Sequence, residues 1–342
     1  MDKIMYSPLT DRPDARILDP DGARKLVAEG WAAADLHVHT LHSYDVIPTR
    51  LVDPLTLYQK ARRLGMTYVA FTDHDSMSAY DQIGWTREGL VPAVEVKILD
   101  RIRVGHTLHI NVYSLNRGQF SEILKIARVA QDLERLVLYL KAEHLPYTFN
   151  HPFWHEAGEK PNLRAILDVV DFFPVLEYNM GRIARINGQA LRLARARGRG
   201  IVATTDTHVG EIGRAFTIAR GGTFMEYFDQ IRWGHSFIVP ADLDISSLKG
   251  ETMIRIGQLF NKSGWLYPKD SLAIDTGNAI LDRIIVRLAQ ARPETSGFAK
   301  KILKIILEGA SRSGIPGSLY IRSQRNLADQ VGGILEGMEI AA

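Results

Sequence analysis

The chain contains no cysteine. It therefore has no disulfide framework and no thiolate metal ligand, so any metal site must be built from histidine and carboxylate side chains. The chain also lacks an apolar leader at its start and any run of 18 consecutive apolar residues, so the sequence supports neither export nor a membrane span. We expect a cytoplasmic protein with no membrane partner.

A strong excess of charge is absent too. The 342 residues include 42 lysines and arginines against 39 aspartates and glutamates, which leaves a formal charge of +3. So small an excess does not by itself indicate a nucleic-acid partner. The content of 46% hydrophobic and 24% charged residues is that of an ordinary globular chain, long enough for one large domain and an accessory one.

The sequence does contain several histidines close to aspartates. More than half of the eleven histidines lie in four short segments, DLHVHT, FTDHD, FNHPFWH and TTDTH. Imidazole and carboxylate together suit Zn²⁺, Mn²⁺ or Fe²⁺, and several such ions held close together commonly activate water against a phosphate ester. The pattern predicts a multinuclear metal site.

Short apolar runs alternate with helical patterns between residues 31 and 210, which implies a mostly parallel sheet. There are seven strand candidates: AADLHVHT, TYVAFTDHD, LVPAVEVKI, HTLHINVYS, YTFNHPF, VVDFFPVLEYN and GIVATTDTH. After about Pro240 the alternation stops and the patterns become helical. We predict an N-terminal arm over residues 1–30, a hydrolase domain over 31–240 and a helical accessory region over 241–342.

Helix boundaries are marked most clearly between the first two strands, where Asp53 can cap a helix, Pro54 suits its first position and Gly65 follows its last turn. The apolar periodicity predicts further helices over residues 121–144, 187–197, 272–291, 298–309 and 324–337. The apolar faces of the C-terminal helices suggest packing surfaces or contacts within a homo-oligomer.

Side chains alternate between the two faces of a strand, so Asp35, His37 and His39 share one face. By the same rule His109 projects with its polar neighbours, whereas His106 points away from it. This favours His109 as a metal ligand, although the long stretch KILDRIRVG before His106 leaves that residue as an alternative.

The same alternation places Glu95 away from its valine neighbours and lets Asp206 and His208 project together. The polar residues fall at the C-terminal ends of the predicted strands. In a barrel of parallel strands that end is where active sites are built.

These segments resemble the PHP (polymerase and histidinol phosphatase) family of metal-dependent phosphoesterases. DLHVHTLHSYD, FTDHD, AVEV, LEYNMGRIARINGQALRLA and TTDTHVGEIGRAFT resemble family motifs in the family's order, between about residues 32 and 224. The resemblance implies a distorted seven-stranded barrel. The predicted fold is therefore an α/β, (β/α)7 TIM-like barrel with a C-terminal helical extension.

The resemblance also implies two or three divalent ions and their ligands. His37, His39, Glu95 and Asp206 would hold one ion, Glu95, His109 and His151 a second, and Asp45, His74 and His208 a third. Glu95, Asp206 and His208 are the residues to which we assign the catalytic role. The reaction expected from such a site is attack of a metal-activated hydroxide on phosphorus, which needs no protein nucleophile.

Three further residues are candidate substrate contacts. Arg182 follows a predicted strand end and could bind a phosphate, or it could belong to a solvated helix. His42 and His155 lie near the predicted ligands and could contact the substrate or protonate the leaving oxygen, a role that metal-bound water could also fill. Both could equally be plain loop residues.

Three functions compete at this stage. The favoured one is hydrolysis of a small phosphorylated metabolite or nucleotide. A 3'-5' exonuclease or other nuclease acting on single-stranded nucleic acid is the alternative, and the sequence shows little of the aromatic and basic interleaving that would stack successive bases. A metal-stabilised domain without catalysis is the third, against which the intact ligand set argues.

Overall fold

A computed structural model describes residues 17–156, 158–267 and 297–341. The helix predicted over residues 272–291 and most of the N-terminal arm lie outside these ranges. The described chain forms a mixed α/β structure around one nine-stranded sheet. Its strands are β1 (Ala32–Val38), β2 (Tyr68–Phe71), β3 (Leu90–Leu99), β4 (Thr107–Tyr113), β5 (Tyr147–Phe149), β6 (Val175–Asn179), β7 (Gly200–Thr204), β8 (Phe216–Ala219) and β9 (Phe237–Val239).

The sheet curves into a nearly closed barrel. Strands β1 to β7 are neighbours in chain order, and β8 and β9 continue the sheet from the other edge of β1. Beyond β7, Thr207 forms a parallel bridge with Val38, and the Asp206 amide donates to the His37 carbonyl at 2.8 Å. The predicted barrel is therefore confirmed, but the predicted count of seven strands is wrong. Strand β8 pairs antiparallel with β1, and β9 pairs antiparallel with β8, so both lie outside the alternation of parallel strands and helices on which the prediction rests.

Strand β4 runs in the opposite direction to the prediction. It is antiparallel to both β3 and β5, whereas the pairs β1/β2, β2/β3, β5/β6 and β6/β7 are parallel. No helix separates β3 from β4, so the strict (β/α)7 alternation is also wrong here. The reversal places His109, near the start of β4, opposite Lys97 in the last half of β3.

The described helices are α1 (Pro20–Ala28), α2 (Pro54–Arg63), α3 (Ser78–Ile83), α4 (Arg117–Lys125), α5 (Leu133–Ala142), α6 (Leu163–Val169), α7 (Ala184–Ala196), α8 (Phe224–Arg232), α9 (Ile245–Phe260), α10 (Gly297–Ser313) and α11 (Ile315–Ala341). Helix α2 begins as predicted, with the Asp53 carboxylate accepting from the Thr56 amide at 3.1 Å. Helices α7, α10 and α11 cover the predictions near residues 187–197, 298–309 and 324–337.

The single helix predicted over residues 121–144 is wrong. Helix α4 continues into a π turn (Ile126–Ala130), and Gln131 then takes a left-handed conformation with φ of 52°. Asp132 caps the new helix α5 by accepting from the Arg135 amide at 3.0 Å. The Asp132 carboxylate accepts a hydrogen bond from a backbone amide that has no partner within α5, so a new helix can start there. The apolar periodicity of the sequence continues across this break.

The accessory region packs against the barrel through its helices. Helix α11 contacts α7 on the outside of the barrel, and α9 contacts both α10 and α11. No helix within the described ranges has the length and apolar character needed to cross a membrane.

Candidate metal centre

Glu95 lies at the centre of the site. It is fully buried on β3, and its two carboxylate oxygens face different sets of histidines. Oxygen Oε1 lies 3.0 Å from His109 Nδ1 and 3.4 Å from His151 Nε2. Oxygen Oε2 lies 3.0 Å from His74 Nδ1. One carboxylate thus joins imidazoles that come from three separate segments of the chain.

The first group of donor atoms lies near Glu95 Oε2 and comes from His37, His39 and Asp206. The Nε2 atoms of His37 and His39 face each other at 3.1 Å. Each lies within 3.3 Å of Glu95 Oε2 and within 3.2 Å of Asp206 Oδ1. Two nitrogens and two oxygens therefore point toward one place, as the ligands of a single cation do. We call Glu95, His109 and His151 the second group, and the donor atoms of Glu95 and His109 also converge with one from His74.

A third group is formed by Asp45, His74 and His208. Oxygen Oδ2 of Asp45 lies 2.8 Å from His208 Nε2 and 3.3 Å from His74 Nε2. His39 adjoins this group, since its ring stacks on that of His208 with centroids 4.2 Å apart. All nine residues predicted as metal ligands are thus brought together at one rim of the barrel. We call them the nine-residue cluster.

The donor set fits divalent metal ions. Six imidazoles and three carboxylates are the ligands preferred by Zn²⁺, Mn²⁺ and Fe²⁺. Glu95 Oε2, His74 Nδ1 and His109 Nε2 are buried and make no hydrogen bond with the described residues. Buried polar atoms are normally satisfied, and cations coordinated at these atoms would satisfy them.

Electrostatics couple the members of the cluster. Burial alone would lower the pKa of His39, but the nearby Asp206 and Glu95 carboxylates outweigh it and raise that pKa to about 10. Burial alone would raise the pKa of Glu95, but the imidazoles of His74 and His37 hold it well below its usual range. The carboxylates therefore stay ionised and demand positive charge among them, which metal cations can supply in competition with protons.

Two members of the cluster have unusual backbone conformations. Asp206 and His151 have positive φ values of 49° and 27°. Residues other than glycine adopt this region at a cost of about 1–3 kcal/mol, and such residues concentrate at functional sites. Both follow the end of a strand, where the turn carries their side chains back toward Glu95.

The structure also places the alternative histidine. His106 is buried, and its Nδ1 atom accepts from the Asn162 amide at 3.3 Å, away from the nine-residue cluster. Burial lowers the pKa of His106, and the nearby His155 lowers it further. His42 contacts the amide oxygen of Gln82 through Nε2 at 2.7 Å. Neither His42 nor His155 forms part of the cluster.

Arg182 lies beside the second group. Its guanidinium carbon is 5.7 Å from the centroid of the Trp154 ring. That ring is 4.7 Å from the ring of His109 and 5.1 Å from the ring of His151. Arg182 Nη1 donates to the Tyr320 hydroxyl at 3.0 Å, so a residue of α11 also helps to position it.

Sequence reasoning missed Glu177 as a residue of the site. This buried carboxylate on β6 contacts His37 Nδ1 at 2.6 Å and accepts from the His151 amide at 2.7 Å and the Thr204 hydroxyl at 2.5 Å. It therefore orients one histidine and the backbone of another. The alternation rule applied to VLEYN would have found it, because Glu177 and Asn179 share a face and Asn179 donates to Asp206 at 3.0 Å.

Glu177→Gln should weaken metal binding without removing a ligand. Some carboxylates accept a hydrogen bond from a ligating histidine, through the ring nitrogen that does not bind the metal. Their loss typically lowers metal affinity about 10–100-fold. Titration of the metal-free protein with Mn²⁺ measures this loss. Glu134→Gln, which removes an exposed carboxylate paired with Arg103, is the matched control. Equal affinity for Mn²⁺ in the Glu177 variant and the wild type would show that Glu177 only fills space.

Together these features define a mixed α/β barrel with a candidate multinuclear metal centre at one rim. No family model and no curated protein matches the chain. Similar solved structures include PsfC from Pseudomonas syringae, with 16% identity and a TM-score of 0.47 over 67% of this chain and 98% of that one.

Two further structural neighbours concern phosphate esters. The lesion-specific endonuclease PfuEndoQ from Pyrococcus furiosus has 16% identity and a TM-score of 0.43, over 61% of this chain and 57% of that one. A Bifidobacterium adolescentis protein with the provisional designation of metal-dependent phosphoesterase has 15% identity and a TM-score of 0.37, over 53% and 90%. Structural similarity at such low sequence identity assigns neither an activity nor a substrate to this chain.

Proposed function

We propose that this chain is a metal-dependent phosphoesterase that hydrolyses a small phosphorylated metabolite or nucleotide. The observation that supports this most is the position of Glu95, whose two oxygens connect three groups of ligand atoms. Residues 31–240 would form the hydrolase domain and 241–342 the accessory region.

Two or three divalent ions, Zn²⁺, Mn²⁺ or Fe²⁺, would supply hydroxide near neutral pH and offset charge on the phosphoryl oxygens. The protein residues would hold and orient this centre. Glu95 joins the groups, and Asp206 is fixed between His39 and Asn179. His208 is held at both ring nitrogens, by the Asp206 carbonyl at 2.9 Å and by the Asp45 carboxylate at 2.8 Å.

Substrate contacts would come from residues next to the centre. Arg182, whose guanidinium carbon lies 5.7 Å from the Trp154 ring centroid, would bind a phosphate oxygen. His42 and His155 would act as further contacts or as the acid that protonates the leaving oxygen. The side chain of His42 is only partly buried.

The aromatic rings near the centre favour a small substrate over a nucleic-acid strand. Tyr44 stacks on His74 with centroids 4.9 Å apart and has the Lys97 ammonium 4.7 Å from its own centroid. Trp154 contacts two histidine rings and lies under Arg182. Both rings already have partners, which argues against their use as a platform on which successive bases would stack.

A hydrolysis screen with Mn²⁺-loaded protein tests the proposal. Phosphomonoesters, including sugar phosphates and mononucleotides, should be hydrolysed with weak dependence on salt, because a small substrate needs few phosphate contacts. Short labelled oligonucleotides and phosphodiesters are compared in the same buffers. Oligonucleotide cleavage that is faster by orders of magnitude and collapses as salt rises would instead identify a nuclease. Failure to hydrolyse any ester would favour a metal-stabilised domain.

A further inference from the structure

Two aspartates of the histidine-rich segments are not among the candidate ligands. Asp35 of DLHVHT and Asp73 of FTDHD are buried, and both lie outside the nine-residue cluster. Burial of a carboxylate is costly unless hydrogen bonds or opposite charges compensate for it. In both cases the compensation comes from a buried threonine whose neighbour in the sequence is a candidate ligand.

Asp35 holds both ends of the loop that follows β7. Its Oδ1 and Oδ2 atoms accept from the amide and the hydroxyl of Thr205 at 3.1 and 2.7 Å. Oδ2 also accepts from the Gly213 amide at 3.0 Å. Between these two residues lie Asp206 and His208, which belong to the first and third groups of ligands. One carboxylate on β1 therefore fixes the loop that carries both of them.

The backbone conformation of Asp206 depends on this loop being held. Its φ is 49°, its amide donates to the His37 carbonyl, and Thr205 immediately before it is bound to Asp35. Residues other than glycine keep such a conformation only where the surrounding structure enforces it. Without the contacts to Asp35, we expect the turn to relax and the Asp206 carboxylate to move away from His37 and His39.

Asp73 makes the same pair of contacts with Thr40. Its Oδ1 accepts from the Thr40 amide and its Oδ2 from the Thr40 hydroxyl, both at 2.6 Å. Thr40 directly follows His39, and Asp73 directly precedes His74. This contact therefore joins the segments that follow β1 and β2, beside one candidate ligand on each.

We propose that two Asp–Thr pairs, Asp35–Thr205 and Asp73–Thr40, are positioning elements that hold the ligands of the first and third groups in place for metal binding. This inference rests on the proposed function, because it concerns the same metal centre, but it does not depend on which ester is hydrolysed. The hydrogen bonds of the pairs involve only protein atoms, and they connect three neighbouring strand ends, those of β7, β1 and β2. Ligands held in this way need little rearrangement to bind an ion.

Titration of the metal-free full chain with Mn²⁺ tests the proposal without any substrate. Thr205→Val and Thr40→Val each remove the hydroxyl from one pair and keep the size of the side chain. Each should weaken Mn²⁺ binding about tenfold or more, as is typical for loss of a residue that orients metal ligands. Thr205→Ser and Thr40→Ser keep the hydroxyl and should restore most of the affinity.

Thr217→Val is the matched control. Thr217 is as buried as the two threonines of the pairs, and its hydroxyl accepts from the Ala203 amide at 2.8 Å and donates to the Ala203 carbonyl at 3.2 Å. Its loss should lower the Tm of the metal-free protein at least as much as the loss of the Thr205 hydroxyl does. Its affinity for Mn²⁺ should stay that of the wild type. The comparison separates the positioning of ligands from the stability of the barrel.

The valine variants place a methyl group beside a carboxylate and could fail to fold for that reason. Thr205→Ala and Thr40→Ala avoid this contact and are then titrated in their place. Wild-type affinity for Mn²⁺ after loss of either hydroxyl would overturn the inference for that pair, as would a serine variant that binds no better than the valine or alanine variant.

An equal loss of affinity in Thr217→Val would also overturn the inference, because the pairs would then contribute only to stability. A wild-type chain that binds no Mn²⁺ would contradict both the inference and the proposed function. If loss of the hydroxyls weakens Mn²⁺ binding and serine restores it, but no ester is hydrolysed, the inference stands and the proposed function fails.

Discussion

Replacing Glu95 with glutamine is expected to remove at least two of the bound ions and to abolish measurable hydrolysis. Both oxygens of Glu95 face histidines of the cluster, at 3.0 Å on either side, and glutamine offers one weaker acceptor and one donor in their place. Mutation of residues that only hydrogen-bond a metal ligand typically lowers metal affinity or activity by about 10–100-fold. Loss of the shared ligand itself should therefore lower kcat/KM roughly a thousandfold or more.

Elemental analysis and initial rates on the best substrate measure this effect. Glu134→Gln again controls for the loss of one carboxylate at the surface. The folded state of the Glu95 variant is checked by its circular dichroism. Full metal content and near wild-type activity in the Glu95 variant would contradict the role of Glu95 as a ligand shared between ions.

Removal of the metals should also lower the thermal stability of the whole domain. Ligands that bind only the folded state stabilise it by about 4 kcal/mol when present at 1,000 times their dissociation constant. For a domain of this size that corresponds to a fall in Tm of roughly 10 °C after chelation. Differential scanning calorimetry before chelation, after it, and after addition of Mn²⁺ or Zn²⁺ gives the shift.

Variants that lose ligands show whether the shift comes from the cluster. His37→Ala and Asp206→Ala should bind less metal and respond less to its addition, because both belong to the first group. A surface histidine provides the control, as in His144→Ala. Less than one ion per chain after reconstitution, or a Tm that added metal does not change, would contradict the assignment of two or three ions.

The sequence alone determined which residues meet at the barrel rim. Alternation along a strand is a local property, so DLHVHT predicts that His37 and His39 share one face without knowledge of the neighbouring strands. Asp206 lies beyond the end of β7 with a φ of 49°, so a turn and not alternation directs its side chain. Caps are local as well, and Asp53 begins α2 where the sequence predicts. The resemblance named the nine residues that lie together, but the structure also brings His39 to Asp45, His74 and His208, and His74 to Glu95 and His109.

Pairing between distant segments was decided only by the tertiary structure. The reversal of β4 and the addition of β8 and β9 depend on which strand edges are free, and no local pattern records this. The break at Gln131 leaves the apolar periodicity intact, so periodicity could not reveal it.

The same reason hid the contact of α9 with the loop that carries Asp45. Within the sequence Gln258 is one glutamine in a helical stretch, beyond the last motif of the site. It meets this loop only because α9 docks there, where Gln258 Nε2 donates to the Thr49 hydroxyl at 3.1 Å. A contact of this kind arises from the packing of whole elements, and so the sequence could name the candidate metal ligands but not the helix that contacts their loop.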